Sequence, residues 1–216
     1  MLPNTKEQQE INELAQQFER ATGAQVVAAV VGKADDYPDI PWRAFALGAG
    51  LAALAVVLDE FISPDWASIH TPARDVMAIL ACGLLCALAA AFNPRFARLF
   101  LHRGRAAAEV RQYAQGLFLQ REIFCTAERS GILIMVCRFE RKVYILPDTG
   151  ITRHLSRGDL NPVIAMMKPH LAHWQPVAAF RAGMEAMTAL LAQKNVRLQS
   201  HGNELQDGAV VEEGAS

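Results

Sequence analysis

Neither sign of charge is in excess in this chain: 21 Lys and Arg stand against 22 Asp and Glu, a formal net charge of -1. The arginines that do cluster sit beside a hydrophobic block rather than along a stripe, so nucleic acid is excluded as an expected partner. Cysteine is sparse as well. The four residues Cys82, Cys86, Cys125 and Cys137 form no CxxC pair and have no histidine at ligand spacing. A disulfide framework and a structural zinc site are therefore not expected, and small buried thiols are predicted instead. A Gly-rich phosphate loop, a nucleophile elbow and an HExxH helix are all missing. His70, His102, His154, His170, His173 and His201 stand at no recognisable catalytic spacing, and Pro169 argues against a regular helix carrying both His170 and His173. The polar start, MLPNTKEQQE, has no apolar stretch, so no cleavable leader is expected.

What the chain has in abundance is apolar residues, 52% of 216. The surplus lies in two blocks without a charged residue, Ala44 to Leu58 and Val76 to Phe92. Each is about 22 to 26 Å long as a helix at ~1.5 Å per residue. With Trp42, Arg43, Phe61 and Ile62 the first reaches the ~20 residues that a bilayer needs. A hairpin buried in a soluble core is the alternative, since both blocks are rich in alanine. The charge pattern favours the membrane: Arg95, Arg98, Arg103, Arg105 and Arg111 follow the second block, whereas the connection from Asp59 to Asp75 has Arg74 among four acids. The flanks on both sides are then cytoplasmic, and the connection, with Pro64, Trp66 and Pro72, crosses to the outside. Asn93-Pro94 should end the second helix.

Around these blocks the pattern is that of an α/β domain. Asn4 and Glu7 have capping-box spacing, and Ile11, Leu14, Ala15 and Phe18 recur at helical spacing before Gly23. Ala24 to Val31 reads as a strand buried on both faces. Ala106 to Gln120 is an amphipathic helix; Ile132 to Val136 and Lys142 to Leu146 are strands joined tightly by Arg138 to Arg141. "PDTG" is a turn in which Asp148 bonds nearby backbone and Gly150 supplies positive φ. A short helix after Asn161-Pro162 and a longer one from Val177 to Gln193 follow. From Asn195 the chain is polar and reads as a disordered tail. The expected division is thus 1–40 and 94–194 as two parts of one α/β domain, 41–93 as a transmembrane hairpin with helices at about 42–62 and 75–92, and 195–216 as the tail.

Glu19, Thr22-Gly23-Ala24-Gln25-Val26-Val27, Phe124, Thr126, Ser130-Gly131-Ile132-Leu133-Ile134, Glu140-Arg141, Val143, Asp148, Gly150-Ile151 and Gly183 together resemble the TPM domain. That family is named after its thylakoid-lumen, photosystem-II-repair and receptor-auxiliary members. The likeness is strongest to a bacterial membrane variant in which two transmembrane helices interrupt the domain between its first strand and second helix. It covers residues 5–40 and 106–193. The resemblance implies an α/β sandwich with a small mixed sheet flanked by helices, in a bacterial inner membrane. It also implies, from some members, acid phosphatase activity with a divalent cation such as calcium or magnesium.

If the strands at Ala24 and Ile132 run parallel, Asp35, Asp36, Arg138, Glu140 and Arg141 lie beyond carboxyl ends of strands, where open α/β sheets place ligands. Asp148 then emerges at the opposite edge. Asp35 and Asp36 offer oxygens to a hard cation, although such sites need about six ligands. Arg138 and Arg141 can clamp a phosphate or carboxylate with Glu140 orienting one of them, or all three can simply keep a strand connection wet. No resident cofactor is required. The expected function is a binding, assembly or quality-control module acting on membrane-protein partners or lipid headgroups, with a cation-dependent phosphatase as the rival.

Overall fold

The computed structural model describes residues 2–62, 72–196, 198, 205 and 209–214. The expectations for Pro64 and Trp66, and for most of 197–208, lie outside the described residues. The chain divides into two compact units, one of residues 1–35 and 104–216 and the other of residues 36–103.

The larger unit is a mixed four-stranded sheet with helices on both faces. Helix α1 (Thr5–Thr22) starts at a complete capping box, in which the Asn4 side chain accepts the Glu7 N–H at 2.9 Å and Glu7 accepts the Asn4 N–H at 2.8 Å. It stops at Gly23, whose φ of 75° is a conformation that glycine adopts without strain. Strand β1 (Gln25–Lys33) pairs in parallel with β2 (Gly131–Cys137), and β3 (Lys142–Pro147) returns antiparallel along β2. Seven successive residues of β2 are buried, as expected of a strand covered on both faces. Ile132, Ile134 and Val136 face α1, α7 (Leu160–Ala172) and α8 (Pro176–Gln193). Leu133, Met135 and Cys137 face Val110, Ala114 and Leu117 of α5 (Arg103–Gln120). Each fully buried aliphatic side chain contributes ~1.5–3 kcal/mol, so these two clusters carry the stability of the unit.

The tail expectation fails in part. Val210–Gly214 is a fourth strand, β4, parallel to β1, and the order is β3-β2-β1-β4. Glu212 accepts the Tyr113 hydroxyl of α5 at 2.7 Å and pairs with Arg121, the residue after α5, at 3.2 Å, while Val210 joins the core. "PDTG" also differs. Asp148 caps a single helical turn, α6 (Thr149–Thr152), and Gly150 is not among the glycines with positive φ. Its need is for space, because a Cβ there would lie 2.2 Å from the Glu128 carbonyl oxygen. Pro169, expected to break the helix, sits inside α7 and is tolerated near its end; His170 belongs to that helix and His173 caps it. Of the four free cysteines, Cys137 is buried as expected, Cys82 and Cys86 are half-buried, and Cys125 is exposed.

The smaller unit is a helical hairpin, α2 (Asp39–Ile62) and α3 (Pro72–Phe92), followed by the short α4 (Pro94–Ala97) and a single 3-10 turn at Arg98–Phe100. Asn93 ends α3 and caps α4, its side chain accepting the Arg95 N–H at 3.0 Å. Glycines bring the two helices close. A Cβ on Gly48 would lie 2.6 Å from the Cys86 sulfur, and one on Gly83 would lie 2.8 Å from the Phe45 ring. Small residues at a seam are how helices pack where no hydrophobic effect drives them together. Both helices are long and apolar enough to cross a membrane, and only 6% and 11% of their most apolar stretches are buried within the protein. Among the described residues, fifteen of the eighteen exposed large apolar side chains lie on these two helices.

Candidate interface at the carboxyl edge of the sheet

The parallel pairing of β1 with β2 fixes where the charged residues emerge. The ladder continues one step past the strands, with the Arg138 N–H donating to Val31 O and the Phe139 N–H to Gly32 O, both at 2.9 Å. Asp35, Arg138, Glu140 and Arg141 therefore gather beyond the carboxyl ends, at the edge where the chain leaves for the hairpin and returns from it. Asp148 emerges at the other edge. There it is buried, accepts the Thr149 N–H at 2.6 Å and pairs with Arg129 at 2.9 Å.

Each residue of the edge has a definite setting. Arg105, in the first turn of α5, holds Asp35 at 2.9 Å and Glu109 at 3.6 Å. These acids offset the basic first turn of a helix whose N-terminus already carries positive dipole charge. Arg138 lies with its guanidinium 5.2 Å from the centre of the Trp174 ring, and Lys33 sits 5.9 Å from that of Phe139. Arg141 is exposed with φ of 52°, closing the tight connection to β3. Glu140 does not keep that connection wet, for it is buried and accepts the Ala34 N–H at 2.9 Å. A carboxylate accepting a buried amide is worth about 1.5–3 kcal/mol and here ties the β2–β3 connection to the end of β1. Burial, and then the charge of Glu140, push the Cys137 thiol up from its ordinary range, so Cys137 is a neutral core residue rather than a nucleophile.

A divalent cation does not fit these donors. Asp35 is committed to the Arg105 guanidinium, Asp36 is its only adjacent acid, and no group of three or more His, Cys, Asp or Glu able to hold a metal comes together among the described residues. The edge is instead a basic rim, with Lys33, Arg105, Arg138, Arg141 and Lys142 around two engaged carboxylates. Sequence reasoning found Arg138, Glu140 and Arg141 from topology but missed Arg105 and Trp174, whose partners are distant in the chain and leave no local spacing signal.

The TPM domain family matches residues 98–190. No curated protein matches. Among solved structures, the NMR structure of the BA42 protein from the psychrophilic bacterium Bizionia argentinensis superposes with a TM-score of 0.53 at 12% identity, covering 96% of this chain and 94% of that one. At that identity the likeness concerns the fold alone. It is an independent match to the mixed sheet with flanking helices described above, and beside it stands the family match: residues 98–190 are similar to the TPM domain.

Proposed function

We propose that this protein is an integral membrane member of the family, in the bacterial inner membrane with both flanks of the hairpin cytoplasmic. There it acts as a binding, assembly or quality-control module on membrane-protein partners or lipid headgroups rather than as an enzyme. One observation carries the reading: two apolar helices whose outer surfaces are almost wholly exposed are inserted in the chain between β1 and α5. A hairpin belonging to a soluble core would be buried. Basic residues close to anionic headgroups each contribute about 1 kcal/mol, and Arg95, Arg98, Arg103 and Arg105 follow α3 in the chain.

The experiment is charge reversal at Arg138 and Arg141, followed by comparison of the lipids and membrane proteins that co-purify with full-length protein in native nanodiscs. Loss of anionic lipid or of a particular partner is expected. An unchanged set would overturn the role of this rim. The rival reading, a cation-dependent phosphatase using Asp35 and Asp36, rests on the family resemblance and on the arginines gathered here. Phosphate release that requires calcium or magnesium and disappears on Asp35→Asn and Asp36→Asn would establish it.

A further inference from the structure

The sheet has an unpaired edge that the carboxyl-edge reading does not use. Among the described residues β3 is one of the two outer strands, opposite β4, with nothing paired beyond it. Its register determines what that edge offers. The Asp148 N–H donates to Gly131 O, so Leu146, Tyr144 and Lys142, opposite Leu133, Met135 and Cys137, also turn their backbone groups toward β2. The N–H and C=O of Val143 and Ile145 therefore point away from the sheet. Pro147, which has no N–H to offer, falls at the next outward position, where an edge strand tolerates it.

Beside this edge runs α7, and between them is an apolar cavity of about 200 Å³ lined by Ile145, Pro147, Leu155, Leu160 and Ile164 among others. A cavity of ~150 Å³ already accepts a benzene ring, so one large aliphatic side chain fits. An exposed strand edge, a helix wall and a side-chain pocket at alternate-residue reach are the elements of strand addition by an extended peptide.

The charges around the groove say which peptide. From Arg141 to Trp174 the only carboxylates are Asp148 and Asp159, and both are engaged, by Arg129 at 2.9 Å and by Lys194 at 3.1 Å. The cations Arg141, Lys142, Arg153 and Lys168 have no such acids among them. A second copy pairing through its own β3 would bring the same cations, Arg141 and Lys142, to the seam without an acid to meet them, which like-charge repulsion opposes. We propose that the groove between β3 and α7 takes up an extended acidic peptide, which pairs with the outward groups of Val143 and Ile145 and places one aliphatic side chain in the cavity. Running antiparallel to β3, such a peptide presents its aliphatic residue first and its acids afterwards, toward Arg141 and Lys142. This holds whether or not the hairpin spans a bilayer.

The test uses the full chain in nanodiscs of zwitterionic lipid, selected against a phage-displayed library of random decapeptides. The expected result is enrichment of an aliphatic residue followed by Asp or Glu. The synthetic consensus peptide should slow hydrogen exchange at the Val143 and Ile145 amides about tenfold or more. Ile164→Arg, at a half-exposed position of the cavity wall, should weaken binding about tenfold, ~1.4 kcal/mol, with circular dichroism checking that the variant is folded. Lys142→Glu should weaken it as well. The proposal is overturned if no acidic consensus emerges, if bound peptide leaves those two amides unprotected, or if Ile164→Arg and Lys142→Glu bind as well as the parent. Protection that rises with protein concentration in the absence of peptide would replace it with self-pairing. Protection by anionic vesicles alone would replace it with a lipid site.

Discussion

Placing an arginine in the centre of each apolar helix separates a membrane hairpin from one that merely resembles it. The perturbation is Leu51→Arg with Leu80→Arg, at residues 58% and 50% exposed near the middles of α2 and α3. On the insertion scale each Leu, Ile, Val or Phe contributes roughly -0.3 to -0.6 kcal/mol and a central arginine costs about 2.5 to 3.5. The ten such residues of α2, from Ile40 to Ile62, sum to about -3 to -6 kcal/mol. One substitution therefore cancels most of the drive for α2, and α3, with seven such residues, is more sensitive still. The assay is alkaline carbonate washing of inner-membrane vesicles, scored by the fraction left in the pellet. The parent should remain, the double variant should be released or aggregate, and Leu119→Arg, on the exposed face of α5, should behave as the parent. Release of the parent by carbonate would refute the reasoning, and so would a double variant that is monodisperse in water without detergent.

Other expectations follow from single contacts. Gly131→Ala would bring a Cβ against the Ile123 carbonyl oxygen, a clash with backbone that should cost ~1–3 kcal/mol in denaturant unfolding. Arg129→Met strands the buried Asp148 carboxylate and should cost ~1.5–3 kcal/mol, discounted from a fully buried pair because Arg129 is itself 49% exposed; rescue by Asp148→Asn in the double variant checks the cause. Burial and the hydrogen bond to Glu212 push the Tyr113 phenol up, so the fold should lose stability as pH rises past the ordinary phenol value of 10.0, and Glu212→Ala should bring its ionisation down in an ultraviolet titration. Asp159 is held down to about 2, first by the Ser156 backbone, then by its hydroxyl, and then by Lys194. Its contribution is present above the ordinary carboxylate value and lost as pH falls toward 2, so the Tm gap between parent and Asp159→Asn should close in acid.

The elements that sequence alone revealed are those whose cause is local. The capping box at Asn4 and the stop at Gly23 each need only a few neighbouring residues, and both are present as read. The parallel pairing of β1 and β2, which sequence reasoning posed only as a condition, is what the structure has, and it suits apolar runs separated by a long crossover, which antiparallel strands do not need. β4 was hidden for the opposite reason. Its five residues, Val-Val-Glu-Glu-Gly, have little apolar content, and they form a strand because β1 offers an edge and because Tyr113 and Arg121 neutralise Glu212. Nothing within the segment announces a partner 99 residues away. Gly150 shows a subtler failure, since glycine was read as a sign of unusual φ when the requirement was an approaching carbonyl.

The same division explains the candidate sites. Topology alone puts Arg138 and Arg141 past the ends of strands, because a residue after a strand must emerge at its end whatever it touches. What those residues do depends on long-range pairing, and here the pairings change the chemistry. With Arg105 on Asp35 and the Ala34 amide on Glu140, the edge presents cations whose nearby acids are already engaged, which is the ground of the proposed headgroup or partner binding. The free edge of β3 could not be read from its sequence at all: Lys142–Pro147 looks like any amphipathic strand until the sheet order leaves it outermost and α7 lies alongside. An acidic strand docking there would engage Arg141 and Lys142, the cations that link the groove to the basic rim. Peptide uptake and headgroup binding should then compete, and anionic lipid in the nanodisc should weaken the peptide in proportion to its mole fraction.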